Sequence, residues 1–186
     1  GGLFFTMTKE LISEGFRIPE FTTYNHLQIP FAYPPLGFYL VGGLHTLFSW
    51  DLLDLFRLLP AIFSVLAIPA YYFLAKAIIS DDFTLGISVL VFSLLPPTME
   101  WLIMGGGITR SPAFAFSLLA LLSGYLLYTR QKTIDIALTA AFSTLTILTH
   151  PEAAVHTAAG MLVFFLYKAR NKKGLIKSLF VLFLVI

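Results

Sequence analysis

Read as blocks of apolar and polar positions, the chain opens on its least uniform stretch. Residues 3–16 set Leu3, Phe4, Met7 and Leu11 on one side of a helix and Thr6, Lys9 and Ser13 on the other. Glu10 falls at the boundary and Glu14 interrupts the apolar side. This pattern suits a helix lying in a membrane interface, and Gly15 suits its C-terminal stop. A polar, turn-rich loop follows, with Pro19, Asn25, Gln28 and Pro30, and closes on Tyr33-Pro34-Pro35-Leu36. Behind it the chain is mostly apolar. Residues 36–50 are short against the roughly 17–25 residues of a helical span, so this segment is expected to dip into the bilayer and return. Asp51 is placed to cap a short helix over 52–59. Spans are then expected over 58–79, with Pro60 near its start and Pro69 inside, and over 83–104, interrupted by Pro96-Pro97. Further spans follow over 112–128, 133–149 and 153–167. A basic loop over 168–177 leads into another span from Ser178.

Composition sharpens this picture. The hydrophobic fraction is 58% and the charged fraction 12%, against soluble averages of about 45–50% and about 25%. The class is an all-α, polytopic transmembrane helix bundle with an interfacial helix and loop on its outer face. A β-barrel would show short alternating strands, which these runs do not. With no cysteine in the chain, disulfide and thiolate chemistry are excluded from these residues. The chain starts at Gly1 and stops within the apolar run 179–186, so it is expected to be a piece of a larger membrane protein, cut at both ends. It is expected to form a single membrane domain over 1–186. Residues 1–50 supply the outer loop, interfacial helix and short dipping helix, and 51–186 the transmembrane helices.

The charge distribution gives an orientation. Lys168, Arg170, Lys172, Lys173 and Lys177 mark 168–177 as cytoplasmic. Counting back, the His150–Glu152 turn and the 105–111 loop lie outside, and the Asp81/Asp82 and Arg130/Lys132 loops inside. If 36–50 dips, the first loop shares the outer face with His150 and Arg110. The expected location is a multi-pass position in a membrane, most simply a prokaryotic plasma membrane, with the working face non-cytoplasmic.

Ionisable groups at membrane depth cost about 2.5–3.5 kcal/mol each on insertion scales and call for a reason. On the outer face these are Glu100, Arg110, His150, Glu152 and His156. Arg110 follows Gly105-Gly106-Gly107, and a guanidinium beside exposed backbone N–H groups can grip a phosphate. It can equally be an interfacial anchor that snorkels to headgroups. Glu152 and His156 are four apart and share a helix face, as a substrate-facing hydrogen-bonded pair, as part of a metal site or as part of a helix-capping turn. Glu10, Glu14, Glu20, Lys9 and Arg17 read as a solvated face, His26 as a surface residue, and His45 as a packing contact. Tyr33 joins Arg110, His150, Glu152 and Glu100 as the candidate substrate-binding set. No metal ligands are assigned, and nothing points to nucleic acid.

The order of these stations resembles a family. An interfacial helix and loop, LFFTMTKELISEGFRIPE, ends in PFAYPPLGFYL. There follow a helix opening FRLLPAIF, an arginine-bearing outer loop GGGITRS, and an LTHPE turn. This is similar to the membrane-embedded glycosyltransferases of the GT-C fold, in particular the protein mannosyltransferase, aminoarabinose transferase and oligosaccharyltransferase-like group. The resemblance implies transfer of a sugar, with inversion, from a polyprenyl-phosphate-linked donor to a protein, lipid or glycan acceptor on the non-cytoplasmic face. In that family a carboxylate just before the interfacial helix serves the acceptor. Here it would precede Gly1, so the catalytic acid is expected outside these residues and the fragment alone is expected to be inactive. A second acid, common in a later loop of the family, is missing after Arg110, where Ser111, Pro112 and Ala113 stand. A divalent metal therefore stays open and no cofactor is assigned. A transporter or flippase with proline-broken helices, or a non-catalytic scaffold subunit, are the alternatives.

Overall fold

The computed structural model describes residues 1–95, 100, 102–104, 107–130, 132–168 and 172–185. Eight long helices are named here: α1 (Gly2–Ser13), α2 (Leu36–Phe48), α3 (Leu52–Ile78), α4 (Asp82–Leu94), α5 (Gly107–Arg130), α6 (Thr133–Ile147), α7 (Pro151–Lys168) and α8 (Lys172–Val185). The fold is an all-α bundle. Its extended pairing, among the described residues, is a small hairpin of β1 (Phe21–Thr22) and β2 (Ile29–Pro30), with Phe21 opposite Pro30 and a 3₁₀ turn at Tyr24–His26 between them. Among the described residues, two helices are long and apolar enough to cross a membrane, α3 and α5. At 1.5 Å per residue they run about 40 and 36 Å, beyond the roughly 30 Å hydrocarbon core. Helices α2, α4 and α6 are apolar but shorter.

Helix α3 is continuous where the sequence suggested a short helix followed by a span. Asp51 caps it as expected, accepting from the N–H groups of Leu53 (2.8 Å) and Asp54 (3.2 Å). The chain then stays helical through Pro60 and Pro69. Pro60 is fully buried, and Ser64 Oγ donates to its carbonyl at 2.7 Å. A bundle tolerates interior prolines when neighbouring groups satisfy the freed backbone. Helix α4, by contrast, stops at Leu94, well short of the expected 83–104 span. Leu95 turns extended (φ −74°, ψ 104°), as a residue preceding a proline is driven to do. Pro96, Pro97, Gly105, Gly106 and Arg170, all part of the sequence reading, lie outside the described residues. The expected basic loop 168–177 is largely helical instead, since α8 already begins at Lys172.

Small residues let the central helices approach. Ala67, Ala70 and Leu74 of α3 pack on Ala115 and Leu118 of α5, the close-packing mode of helices in a membrane. Phe63 meets Phe116, Tyr125 meets Phe164, and Ser117 meets Thr157. These contacts make α3, α5 and α7 run in the same direction. Buried hydroxyls are satisfied within their own helices: Ser111 donates to Gly107 O, Thr139 to Asp135 O and Thr146 to Phe142 O. The helix starts Leu52, Gly107 and Pro151 therefore share one end of the bundle. Lys76, Arg130, Lys132, Lys168 and Lys172 share the other.

The first 50 residues cover the first of these ends. Met7 and Leu11 of α1, Phe38 and Val41 of α2, Leu52, Leu55 and Leu59 of α3, and Ile108 of α5 form one buried cluster. The apolar stripe of α1 is thus spent on protein, chiefly α2. Gly42 makes room for Ile12 and Phe16, and Tyr39 Oη donates to Phe16 O at 2.9 Å. Gly15 sits at φ 63°, just past the helix end, as its type allows. Helix α2 starts beside α5, where a Cβ on Gly37 would lie 2.6 Å from Ile108 O. It ends where His45 Nδ1 meets Trp50 O at 2.7 Å. Helix α3 then returns to the level of α5, with Pro60 against Gly107. Both flanks of α2 thus lie at the same end of the bundle.

Candidate functional site

At that end, α5 and α7 present their first turns side by side. Pro151 occupies the first position of α7, where its missing N–H costs nothing. The preceding turn is wound tightly: His150 N donates to Thr146 O (3.0 Å) and Thr149 Oγ1 to Leu145 O. This fixes His150 between α6 and α7, 7% exposed. Its ring meets Tyr33 edge-on at 6.0 Å. Leu36 N donates to Leu148 O at 2.9 Å. The end of the first loop and the Thr149-His150-Pro151-Glu152 turn are therefore joined by both backbone and side chain.

A cleft of about 550 Å³ opens beside this turn, between α5, α7 and the side chains of Phe92 and Leu102. Arg110, His150, Glu152 and His156 line its polar part, with Ser117 farther along. Phe92, Leu102, Phe114, Leu118 and Leu121 form its apolar wall. The α5 residues fall at 110, 114, 117, 118 and 121, one helical face descending from the guanidinium. Arg110 Nη1 donates to Met104 O at 3.3 Å. The guanidinium adds to the positive end of α5, a combination that favours an anion. Glu152 stands in the first turn of α7, the position the helix dipole favours for an acid. His150 is held below the ordinary imidazole range, mainly because burial disfavours its cation. Nearby Arg110 pushes the same way and Glu152 opposes. His150 is therefore a neutral hydrogen-bonding group at pH 7.

Of the five candidate residues, the fold brings Arg110, His150 and Glu152 to one cleft, and adds His156. Tyr33 sits behind His150, packed on Phe4 and Phe38, so it buttresses the site rather than lining it. Glu100 is exposed and does not line the cleft. The glycine-cradle reading changes as well. Gly107 is the first residue of α5, and its missing Cβ is explained by Leu102 O at 2.6 Å and Pro60 at 2.9 Å. Glu10, expected on a solvated face, clamps the hairpin: its carboxylate accepts from Thr23 N (2.8 Å) and Thr23 Oγ1. Ser117 and Phe114 were missed, although their spacing from Arg110 places them on its face. Phe92 carries no such signal, because only the packing of α4 brings it there. Among the described residues no group of three or more His, Asp or Glu is placed to hold a metal ion.

Fold and site together define a class: an all-α helical bundle with two helices able to cross a membrane and a cleft at one end, polar on one side and apolar on the other. Within that class, the chain belongs to the membrane-protein family described as 6-pyruvoyl-tetrahydropterin synthase related domain, matched over residues 32–186. No curated protein and no solved structure matches the chain.

Proposed function

We propose that this chain is part of a multi-pass, GT-C-like membrane glycosyltransferase, moving a sugar from a polyprenyl-phosphate-linked donor to an acceptor on the non-cytoplasmic face. The observation that carries the reading is the two-sided character of the cleft. Arg110, His150, Glu152 and His156 gather at one end of an otherwise aromatic and aliphatic trough. An amphiphile with an anionic phosphate and an isoprenoid tail matches both parts. In sugar transfer from a lipid phosphate the leaving group is already good. The protein's tasks are to hold the developing phosphate charge, to orient the donor and to take a proton from the acceptor. Arg110 suits the first task, since a guanidinium bonds phosphate oxygens through a fork of N–H donors. Neutral His150 suits hydrogen bonding to the phosphate or the sugar, with the His156 ring beside it and Glu152 available to a sugar hydroxyl. None of the cleft's residues is assigned as the base that activates the acceptor, and no step is assigned to a metal.

The test is transfer by the full-length protein in vesicles supplied with radiolabelled polyprenyl-phosphate sugars and membrane extract as acceptor source. Label should move to acceptor with wild type and fall by two orders of magnitude or so with Arg110→Ala, the scale of losing a transition-state donor. Equal transfer by the two proteins would remove Arg110 from the reaction. Failure of every lipid-phosphate sugar to be consumed would remove the activity itself.

A further inference from the structure

A second cavity lies on the other side of α7, in the half of the bundle the cleft does not use. It holds about 340 Å³ and is bounded by α5, α6, α7 and α8. Its walls are almost entirely apolar, with Leu127, Ile147, Ala158, Met161 and Phe165 among them. Helix α8 packs on α6 and touches α7 only lightly, so the cavity lies along a slot between α7 and α8. Along α7 its lining runs from Ala154 to Phe165, about 17 Å of helix. That is close to the depth of one leaflet's hydrocarbon, half of a core about 30 Å thick.

The two ends of the slot differ in charge. At one end Tyr128 Oη and Ser178 Oγ are hydrogen-bonded at 2.7 Å, and both line the cavity. Lys168 follows the lining residue Phe165 by three positions, and Lys172 precedes the lining residue Leu175 by three. Residues three apart on a helix are neighbours, with Cβ atoms about 5–6 Å apart. Lys168 Nζ lies over the rings of Tyr167 (5.0 Å) and Tyr125 (5.8 Å), which holds its charge at this end of the bundle. The other end, at Ile147 and Ala154, carries no lysine or arginine nearby along α6 or α7, and Glu152 stands close to it.

We infer that this slot binds an anionic phospholipid of the leaflet on the lysine-rich side. One acyl chain lies in the cavity between α7 and α8, and the headgroup sits at Lys168 and Lys172. An apolar channel of leaflet depth selects a hydrocarbon chain, and the basic rim selects a negative headgroup over a zwitterionic one. This inference does not depend on the glycosyltransferase reading, because it uses neither the Arg110 cleft nor any of its residues.

The test is native mass spectrometry of the full-length protein released from vesicles of equal palmitoyl-oleoyl phosphatidylglycerol and phosphatidylcholine. Wild type should retain phosphatidylglycerol preferentially. The double variant Lys168→Gln/Lys172→Gln should lose that preference by about fivefold for each lysine. Ala158→Phe, which fills the cavity from an exposed helix position, should cut retention of phosphatidylglycerol by about tenfold or more. Far-UV circular dichroism checks that each variant is folded, and the lysine pair alone decides the headgroup arm if Ala158→Phe misfolds. Equal retention of both lipids by wild type, or an undiminished preference in the lysine variant, would overturn the proposal. So would unchanged retention in folded Ala158→Phe, which would mean that protein and not lipid fills the slot.

Discussion

Arg110 shows what a residue's spacing can and cannot disclose. An arginine among apolar segments is conspicuous, and the positions 114, 117, 118 and 121 that continue its helix face can be counted off the sequence. Its partnership with His150 and Glu152 can be suspected only if two turns are placed at one end of the bundle. Tyr33 was legible as a site residue but not its role, because its stacking on Phe4 and Phe38 is tertiary. Glu10 was misread for the same reason: its partner Thr23 lies thirteen residues away on a hairpin the polar loop did not advertise. His150 predicts a pH dependence. Its folded value is below the unfolded one of about 6.5, so the unfolded state binds more protons as pH falls through that value. Stability should therefore decline on acidification from about pH 6.5 until the folded value is passed, and level off below it. His150→Asn should flatten that part of a thermal-unfolding pH series, and an unaltered slope would contradict the assignment. Glu10 has the opposite sign. Partial burial raises it, but the hydroxyls of Thr22 and Thr23 and the Thr23 N–H outweigh this and hold it below the usual carboxylate range. Its contribution is present above about pH 4.3 and is lost as pH falls through the lowered value. Glu10→Gln should remove that acid sensitivity and loosen the hairpin, read as faster amide exchange at Thr23.

At the scale of elements, the long apolar helices were readable and their ends less so. The sequence places Pro60 near the start of a span over 58–79. It lies inside α3 because its ring packs where Gly107 has no side chain and its carbonyl is met by Ser64. The span expected over 83–104, interrupted at Pro96-Pro97, begins as α4, which ends at Leu94 where Leu95 turns extended ahead of a proline. The length of 36–50 suggests a dip into the bilayer; the structure shows that the contacts of Gly37, Leu36 and Pro60 set both flanks of α2 at one end of the bundle. That return depends on a close approach. Gly37→Ala would set a Cβ 2.6 Å from Ile108 O and 2.9 Å from Thr109 Cγ2, and overpacking of this kind costs about 1–3 kcal/mol. Gly37→Ala should lower the midpoint of thermal unfolding, whereas Gly43→Ala, with open space around it, should leave it nearly unchanged. Asp51→Ala removes the acceptor for two N–H groups and should cost about 1 kcal/mol in thermal or denaturant unfolding.

For the whole molecule, the dominant asymmetry is between the two ends. The end carrying the first loop, Arg110 and the His150 turn holds most of the acids and histidines. The far end holds Lys76, Arg130, Lys132, Lys168, Lys172 and Lys173. In the orientation proposed from the positive-inside rule, the site end faces away from the cytoplasm. A cysteine introduced at Thr23 in the intact protein should then react with a membrane-impermeant maleimide from outside cells, and one at Lys173 should not. The reverse pattern would invert the proposed orientation. The bundle's class and the sidedness of its charge were open to the sequence, because both follow from composition and helix count. The cleft was not, because its wall includes Phe92, brought in by the packing of α4 on its neighbours. Above all, the cleft is proposed to hold a lipid phosphate through Arg110. The most direct measurement is binding of a polyprenyl monophosphate to the purified full-length protein, compared with Arg110→Gln and with Glu14→Gln, an exposed acid beyond α1. Arg110→Gln should weaken binding about 10- to 100-fold, the range for losing charged hydrogen bonds, and Glu14→Gln should bind like wild type. Equal affinity for wild type and Arg110→Gln would contradict the claim.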